Sequence, residues 1–397
     1  MKLIKINIFI VSLFFFTKTV LGNDTTQITQ LLNRISILQN KENGVFPKGL
    51  FPCYRMYALN KDREIADPNI AFTGYIVYTL RSLLPELTAY QQGIAKQIIL
   101  NATEVFDKFK NQKGRPTYNF WPTDTVAFFP NSGLLTHLTK THALADDLDD
   151  TSLILMGLLA DSSTAQEAHT IMQGFVKKNK KEINSFFFKY KELNTYSTWF
   201  GKKMPVEIDI AVLCNVLLFV QSYNLPWTKT DSASLQLITH VIKDKKHINE
   251  ASYMSHYYST PSLILYHVAR LMNKKEIPAL NELKPQMVLE AKELFSKSTS
   301  FLEKIILSSI LFKWNEATPS SNFIYTNSLE SLIEEDQSFA FFVANLAYLQ
   351  LGIPDGLKKW SGKMGVGKFY FYCPAYNNLL VVENLVLSNR KKASIID

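Results

Sequence analysis

The chain has 397 residues, of which 47% are hydrophobic and 13% aromatic, so it can bury a large core, and its formal net charge is +8. The basic surplus is scattered and ends in the short tail Arg390-Lys391-Lys392, which reads as a solvated surface and excludes a nucleic-acid-binding stripe. Three widely spaced cysteines, Cys53, Cys214 and Cys373, exclude a CxxC metal site or a disulfide framework. A single Cys53–Cys373 bridge stays open after export, with Cys214 reduced inside an apolar helix.

Residues 1–22 read as a secretory signal: Lys2 and Lys5, an apolar run from Ile6 to Phe16, then Val20-Leu21-Gly22 before Asn23. A bilayer span needs about 20 apolar residues and this run is shorter, so cleavage is expected rather than anchoring. Residues 23–397 are then one secreted or periplasmic domain with no transmembrane segment and no Pro/Gly/Ser-rich linker. Loss of Lys2, Lys5 and Lys18 lowers the formal charge from +8 to about +5.

Along the rest of the chain a polar start followed by a nearly all-apolar helix recurs six times. Asp67-Pro68-Asn69 leads into Ile70 to Val77, Asp149-Asp150-Thr151 into Leu153 to Leu159, and Asp209 into Ile210 to Leu217. Thr260-Pro261-Ser262 leads into Leu263 to Tyr266, Asp336-Gln337-Ser338 into Phe339 to Val343, and Tyr376-Asn377-Asn378 into Leu379 to Val382. Between them, Gln91 to Lys108, Ala165 to Lys181, Leu235 to Lys245 and Met287 to Phe301 carry apolar residues every three or four positions, separated by lysine and glutamate. A helix apolar all round must be covered on all sides, and an amphipathic one covers the outside. The alternation therefore predicts an all-α fold, an (α/α)6 toroid of inner and outer helices. An irregular helical bundle and an open solenoid are the alternatives, and a solenoid does not need inner helices this apolar.

If the inner helices all point one way, their N-termini bring Asp67, Asp147, Asp149, Asp150, Asp209 and Asp336 to one face. Four carboxylates crowd the stretch Asp146-Asp147-Leu148-Asp149-Asp150. Helix capping uses one or two of them, and mutual repulsion raises the pKa of the rest, which is how a positioned acid is made. Aromatic residues precede several inner helices, among them Phe120, Trp121, Trp199, Tyr257 and Tyr370, and as a group they are expected to line the same mouth as ligand-binding walls. Each ring taken singly is equally well explained by core packing. His256 and His267 read more readily as hydrogen-bonded packing residues than as bases, and Glu207 pairs with Asp209 or caps its helix. No phosphate-binding loop, dinucleotide fingerprint, GxSxG, HExxH or EF-hand pattern is present.

Asp147-Leu148-Asp149-Asp150-Thr151, with the apolar helix behind it, resembles the DxDDT motif of the class II terpene cyclases, whose superfamily of α/α toroids also holds the protein prenyltransferases. The resemblance implies that Asp149, the middle carboxylate, protonates an alkene or epoxide while Asp147 and Asp150 tune its acidity. It also implies that an isoprenoid-type ligand fills the aromatic pocket. Two other classes stay open on the residues alone. One is a glycan-active enzyme, a glycoside hydrolase or lyase with two carboxylates and stacking platforms. The other is a non-catalytic binder whose acidic mouth holds Ca²⁺ or a ligand. No cofactor is required by any motif, and Ca²⁺ or Mg²⁺ is the only option the acids leave.

Overall fold

The computed structural model describes residues 24–124, 145–176, 190, 192–201, 206–319, 328–349 and 353–396. The expected signal segment, 1–22, lies outside the described residues. In chain order the α-helices longer than four residues are α1 (24–38), α2 (Ala71–Leu83), α3 (Ala89–Thr103), α4 (Leu148–Leu158), α5 (Ser162–Met172), α6 (Ile210–Ser222), α7 (Lys229–Lys243), α8 (Pro261–Lys274), α9 (Lys284–Lys297), α10 (Phe301–Lys313), α11 (Leu329–Glu335), α12 (Asp355–Lys363) and α13 (Pro374–Ile396). The strands are β1 (Tyr54–Tyr57), β2 (Asn60–Ala66), β3 (Tyr118–Asn119), β4 (Asp146–Asp147), β5 (Phe342–Asn345) and β6 (Lys368–Tyr372).

Six helices pack in a cycle: α2 on α4, α4 on α6, α6 on α8, α8 on α10, α10 on α13, and α13 back on α2. Their sequences explain why they lie inside. Every residue of α6 from Ile210 to Gln221 is buried, as is every residue of α4 from Leu148 to Gly157. Helices with no polar face find no stable place at the surface. Gly74 of α2 meets Ile154 of α4, and Gly157 meets Val77, where an added Cβ would lie 3.0 Å from Val77 Cγ1. These pairings run in the same direction along both helices, so α2 and α4 are parallel and in close contact. Amphipathic α3, α7 and α9 cover α2, α6 and α10 from outside, α7 and α3 starting from reciprocal caps at Thr228/Asp231 and Thr88/Gln91.

Two expectations are corrected. The run Phe339 to Val343 does not start an inner helix; it enters β5, and the fifth helix of the cycle is α10, which lies just beyond the segment read as an outer helix. A short apolar run rich in aromatic and β-branched residues has no periodicity that separates strand from helix. The fold is also not purely helical, because β2-β1-β6-β5 form an antiparallel four-stranded sheet and β3-β4 a second small ladder.

Tyr54 of β1 pairs with Tyr372 of β6, so Cys53 and Cys373 stand just beyond that register pair, yet no bridge joins them and all three cysteines are buried and free. Cys53 Sγ instead receives a hydrogen bond from Asn69 Nδ2 at 3.1 Å.

Candidate active site

A cleft opens where the N-terminal ends of α2, α4 and α6 meet the sheet. Ala71, Asp149, Asp150 and Val212 come from the helices, Asp147 caps α4, Phe342, Ala344 and Phe371 come from β5 and β6, and Phe120, Trp121, Thr198, Trp199 and Tyr257 come from the connecting segments. Its empty space, mouth included, is about 510 Å³, and apart from the carboxylates its walls are almost wholly apolar. The rings are packed against one another: Tyr257 stacks on Phe342 at 5.3 Å, Phe342 on Phe120 at 5.6 Å, and Phe120 meets Trp121 edge-on at 5.3 Å.

Each polar edge of these rings is held from behind by a carboxylate. Trp121 Nε1 donates to Asp67 Oδ1 at 2.7 Å. Trp199 Nε1 and the Tyr257 hydroxyl both donate to Glu207 Oε2. Asp209 caps α6 through Ala211 N and Val212 N and also accepts Ser255 Oγ and Tyr257 N, so it fixes the turn that presents Tyr257. Asp67 and Asp209 are therefore positioning groups behind the wall.

The three aspartates in the cleft are buried and differ in their partners. Asp147 Oδ1 accepts Asp150 N at 2.7 Å, the N-cap of α4. Burial, and after it the negative charge of Asp149, raises Asp147 to about 7, and burial together with the charge of Asp147 raises Asp150 well above the usual carboxylate range. Asp150 Oδ2 is buried without a hydrogen-bond donor, in keeping with that direction. Burial pushes Asp149 up to about 6 against the hydrogen bonds of Tyr258 and Asn215, and Glu207 up to about 8.

Behind Asp149 runs a buried polar chain that leads into the helix cycle. Asn215 Nδ2 donates to Asp149 Oδ1 at 2.6 Å, and Tyr258 Oη meets Asp149 Oδ2. Tyr258 Oη meets Tyr75 Oη at 2.7 Å, and Tyr75 Oη meets His267 Nε2 at 2.9 Å. His267 Nδ1 lies 2.7 Å from the Leu263 carbonyl, so Nδ1 carries the hydrogen and Nε2 is the acceptor. Burial, aided by the charge of Arg270, pushes His267 down to about 3 and keeps the ring neutral. Tyr75 Oη donates to Tyr258 Oη and accepts Asn215 Nδ2 at 2.7 Å, and Tyr258 Oη donates to Asp149 Oδ2, so the hydrogens of the chain run towards the carboxyl of Asp149. These donors oppose the effect of burial, which is why the Asp149 pKa rises no further than about 6.

Arg270 closes the network. Its Nη1 donates to Asn215 Oδ1 at 3.1 Å, and its guanidinium lies over Tyr75 and Tyr78 at 5.1 and 5.0 Å.

Of the residues expected at the site, Asp147, Asp149, Asp150, Phe120, Trp121, Trp199 and Tyr257 converge on the cleft, with Asp67 and Asp209 directly behind it. Two are elsewhere. Asp336 accepts Leu302 N at 2.8 Å and Ser300 Oγ at 2.6 Å at the start of α10 and does not line the cleft. Tyr370 sits on the outer face of β6 beneath Lys61 and Lys368, because strand alternation turns Phe369 and Phe371 inward instead. Sequence reading missed Tyr75, Asn215 and Arg270, which sit on inner helices among apolar residues. A polar side chain at a core position of an inner helix was the available signal.

Among the described residues no group of three or more His, Cys, Asp or Glu side chains is placed to hold a metal ion, and no helix is long and apolar enough to cross a membrane. Neither a known family model nor a characterised protein matches the chain in sequence.

Proposed function

We propose that the helix cycle is a closed (α/α)6 toroid and that its cleft protonates an apolar, unsaturated ligand of isoprenoid type, with Asp149 as general acid. The observation that carries this reading is the place of Asp149, a buried carboxyl with a pKa pushed up to about 6, in a cleft otherwise walled by aromatic and aliphatic side chains. In the proposed step the Asp149 O–H bond breaks as a C–H bond forms from the alkene π pair. The cation left on the neighbouring carbon is stabilised by the ring faces of Phe120, Trp121 and Trp199. The Asp149 carboxylate then accepts Tyr258 and Asn215, which makes it a better leaving partner for the proton. Asp147 and Asp150, whose pKa values burial raises, keep full negative charge away from the mouth. Export is part of the reading and rests on the sequence of residues 1–22 alone.

The test is incubation of the purified protein with isoprenoid alkenes of graded length and, separately, with oligosaccharides, with products read by mass spectrometry. Conversion of an isoprenoid that is lost in Asp149→Asn, with the fold retained, supports the reading. Cleavage of an oligosaccharide with no isoprenoid conversion overturns it in favour of a glycan-active enzyme. Binding without conversion of either class overturns it in favour of a ligand-binding protein.

A further inference from the structure

α12 is amphipathic with its apolar side outward. Leu357, Trp360 and Met364 recur at spacings of three and four, which is one stripe of a helix, and they are 49, 57 and 53% exposed, while the exposed Ile353 lies in the bend just before the helix. The opposite side is filled. Lys358 is buried, and Gly362 lies so close to Tyr348 that an added Cβ would stand 2.5 Å from its hydroxyl oxygen. The helix therefore packs through its small face and has no room to roll the stripe inward. Gly365, at φ +82°, turns the chain against the tip of the β1–β2 hairpin, where its Cβ position is 3.3 Å from Leu59 Cδ2. That brings the exposed Leu59 to the end of the stripe.

Lysines border the apolar strip. Lys359 and Lys363 lie on one flank of α12, and Lys61 and Lys368 approach from the sheet, over the ring of Tyr370 at 5.4 and 5.2 Å. Lys359 also reaches Glu250 Oε2 at 3.2 Å. A large exposed tryptophan among aliphatic residues, edged by lysines whose stems can lie along apolar surface, matches the boundary between lipid chains and acidic headgroups. We propose that this face docks the protein on an anionic lipid surface, with Leu357, Trp360 and Met364 in the interface and the lysines among the headgroups. α12 lies between β5 and β6 in the chain, and Phe342 and Phe371 of those strands line the cleft. The inference rests on α12 and its neighbours and does not depend on the chemistry of the cleft.

The test is co-sedimentation of the full chain with phosphatidylcholine vesicles and with vesicles containing phosphatidylglycerol. It compares the parent with Leu357→Ser/Trp360→Ser and with Lys363→Glu/Lys368→Glu, all carrying the same N-terminus. The parent is expected to partition to the anionic vesicles, the first variant to lose about tenfold or more, and each lysine reversal to cost about fivefold or more, with the loss reproduced by high salt. Equal binding by parent and both variants overturns the proposal, and the lysine variant decides the matter should the first variant misfold. A dimer of the parent that Leu357→Ser/Trp360→Ser dissociates, without vesicle binding by either, assigns the stripe to a second copy of the chain and also overturns it.

Discussion

Tyr75 Oη donates to Tyr258 Oη at 2.7 Å, and Tyr258 in turn donates to Asp149 Oδ2, so the two phenols act in series on one carboxyl. Tyr258→Phe removes the donor that favours the ionised form of Asp149, so the Asp149 pKa should rise by about one unit or more. The alkaline limb of any activity carried by the protonated acid then moves to higher pH. Carboxyl NMR titration of Asp149 measures the shift without any substrate, and an unchanged titration refutes the role given to Tyr258.

Asp67 holds the Trp121 ring by its only hydrogen-bonding atom, and both are buried. Asp67→Ala should cost about 1–3 kcal/mol, read by chemical denaturation, since the indole N–H is left without an acceptor. It should also weaken any ligand that stacks on Trp121, seen as a smaller thermal shift at saturating ligand.

The buried carboxyls give stability a definite pH dependence. Asp149, at about 6, and Glu207, at about 8, lie above their unfolded values, so the folded state keeps protons that the unfolded state has released. Stability from such groups is fully present below the unfolded pKa and lost as pH rises through the folded one. His256 and His267, pushed down by burial to about 4 and about 3, act oppositely, but only below an unfolded histidine pKa of about 6.5. Between pH ~6.5 and ~8 the carboxyls act alone, and the melting temperature should fall across that window. Glu207→Gln should flatten the fall, and a melting temperature that rises over the window would count against these protonation states.

Lys313 Nζ and Glu383 Oε1 meet at 2.7 Å with both side chains nearly buried, and Tyr266 donates to the same carboxylate. Lys313→Met leaves that carboxylate buried without its charge partner and should cost about 3–5 kcal/mol. Lys313→Met/Glu383→Leu should recover much of it, because two apolar side chains remove both desolvation costs. Urea unfolding of the parent, Lys313→Met, Glu383→Leu and the double variant decides whether the pair is coupled in this way.

The sequence by itself determined the helical character of the chain and the position of most helix starts. Asp147, Asp209 and Thr260 do cap α4, α6 and α8 as their place before apolar runs required, since an unsatisfied helix N-terminus and a continuous apolar stretch are local properties. It also marked the acidic cluster at Asp147, Asp149 and Asp150 and the rings of Phe120, Trp121, Trp199 and Tyr257, because chemistry concentrated in a few adjacent residues survives without knowledge of the fold.

Only the tertiary structure decided the rest. Phe341, Phe342 and Val343 read alike as strand or helix until β6 offered β5 a partner, and the side of β6 facing the cleft, Phe371 and not Tyr370, depends on a register set by β1. The partners of Asp149 come from positions 215 and 258, with Tyr75 and His267 beyond them, and no local spacing announces that four segments will meet. The raised pKa of Asp149 is a property of that meeting. It follows from the number of donors and acceptors enclosed together and the water excluded from them, quantities that exist only once the chain has folded.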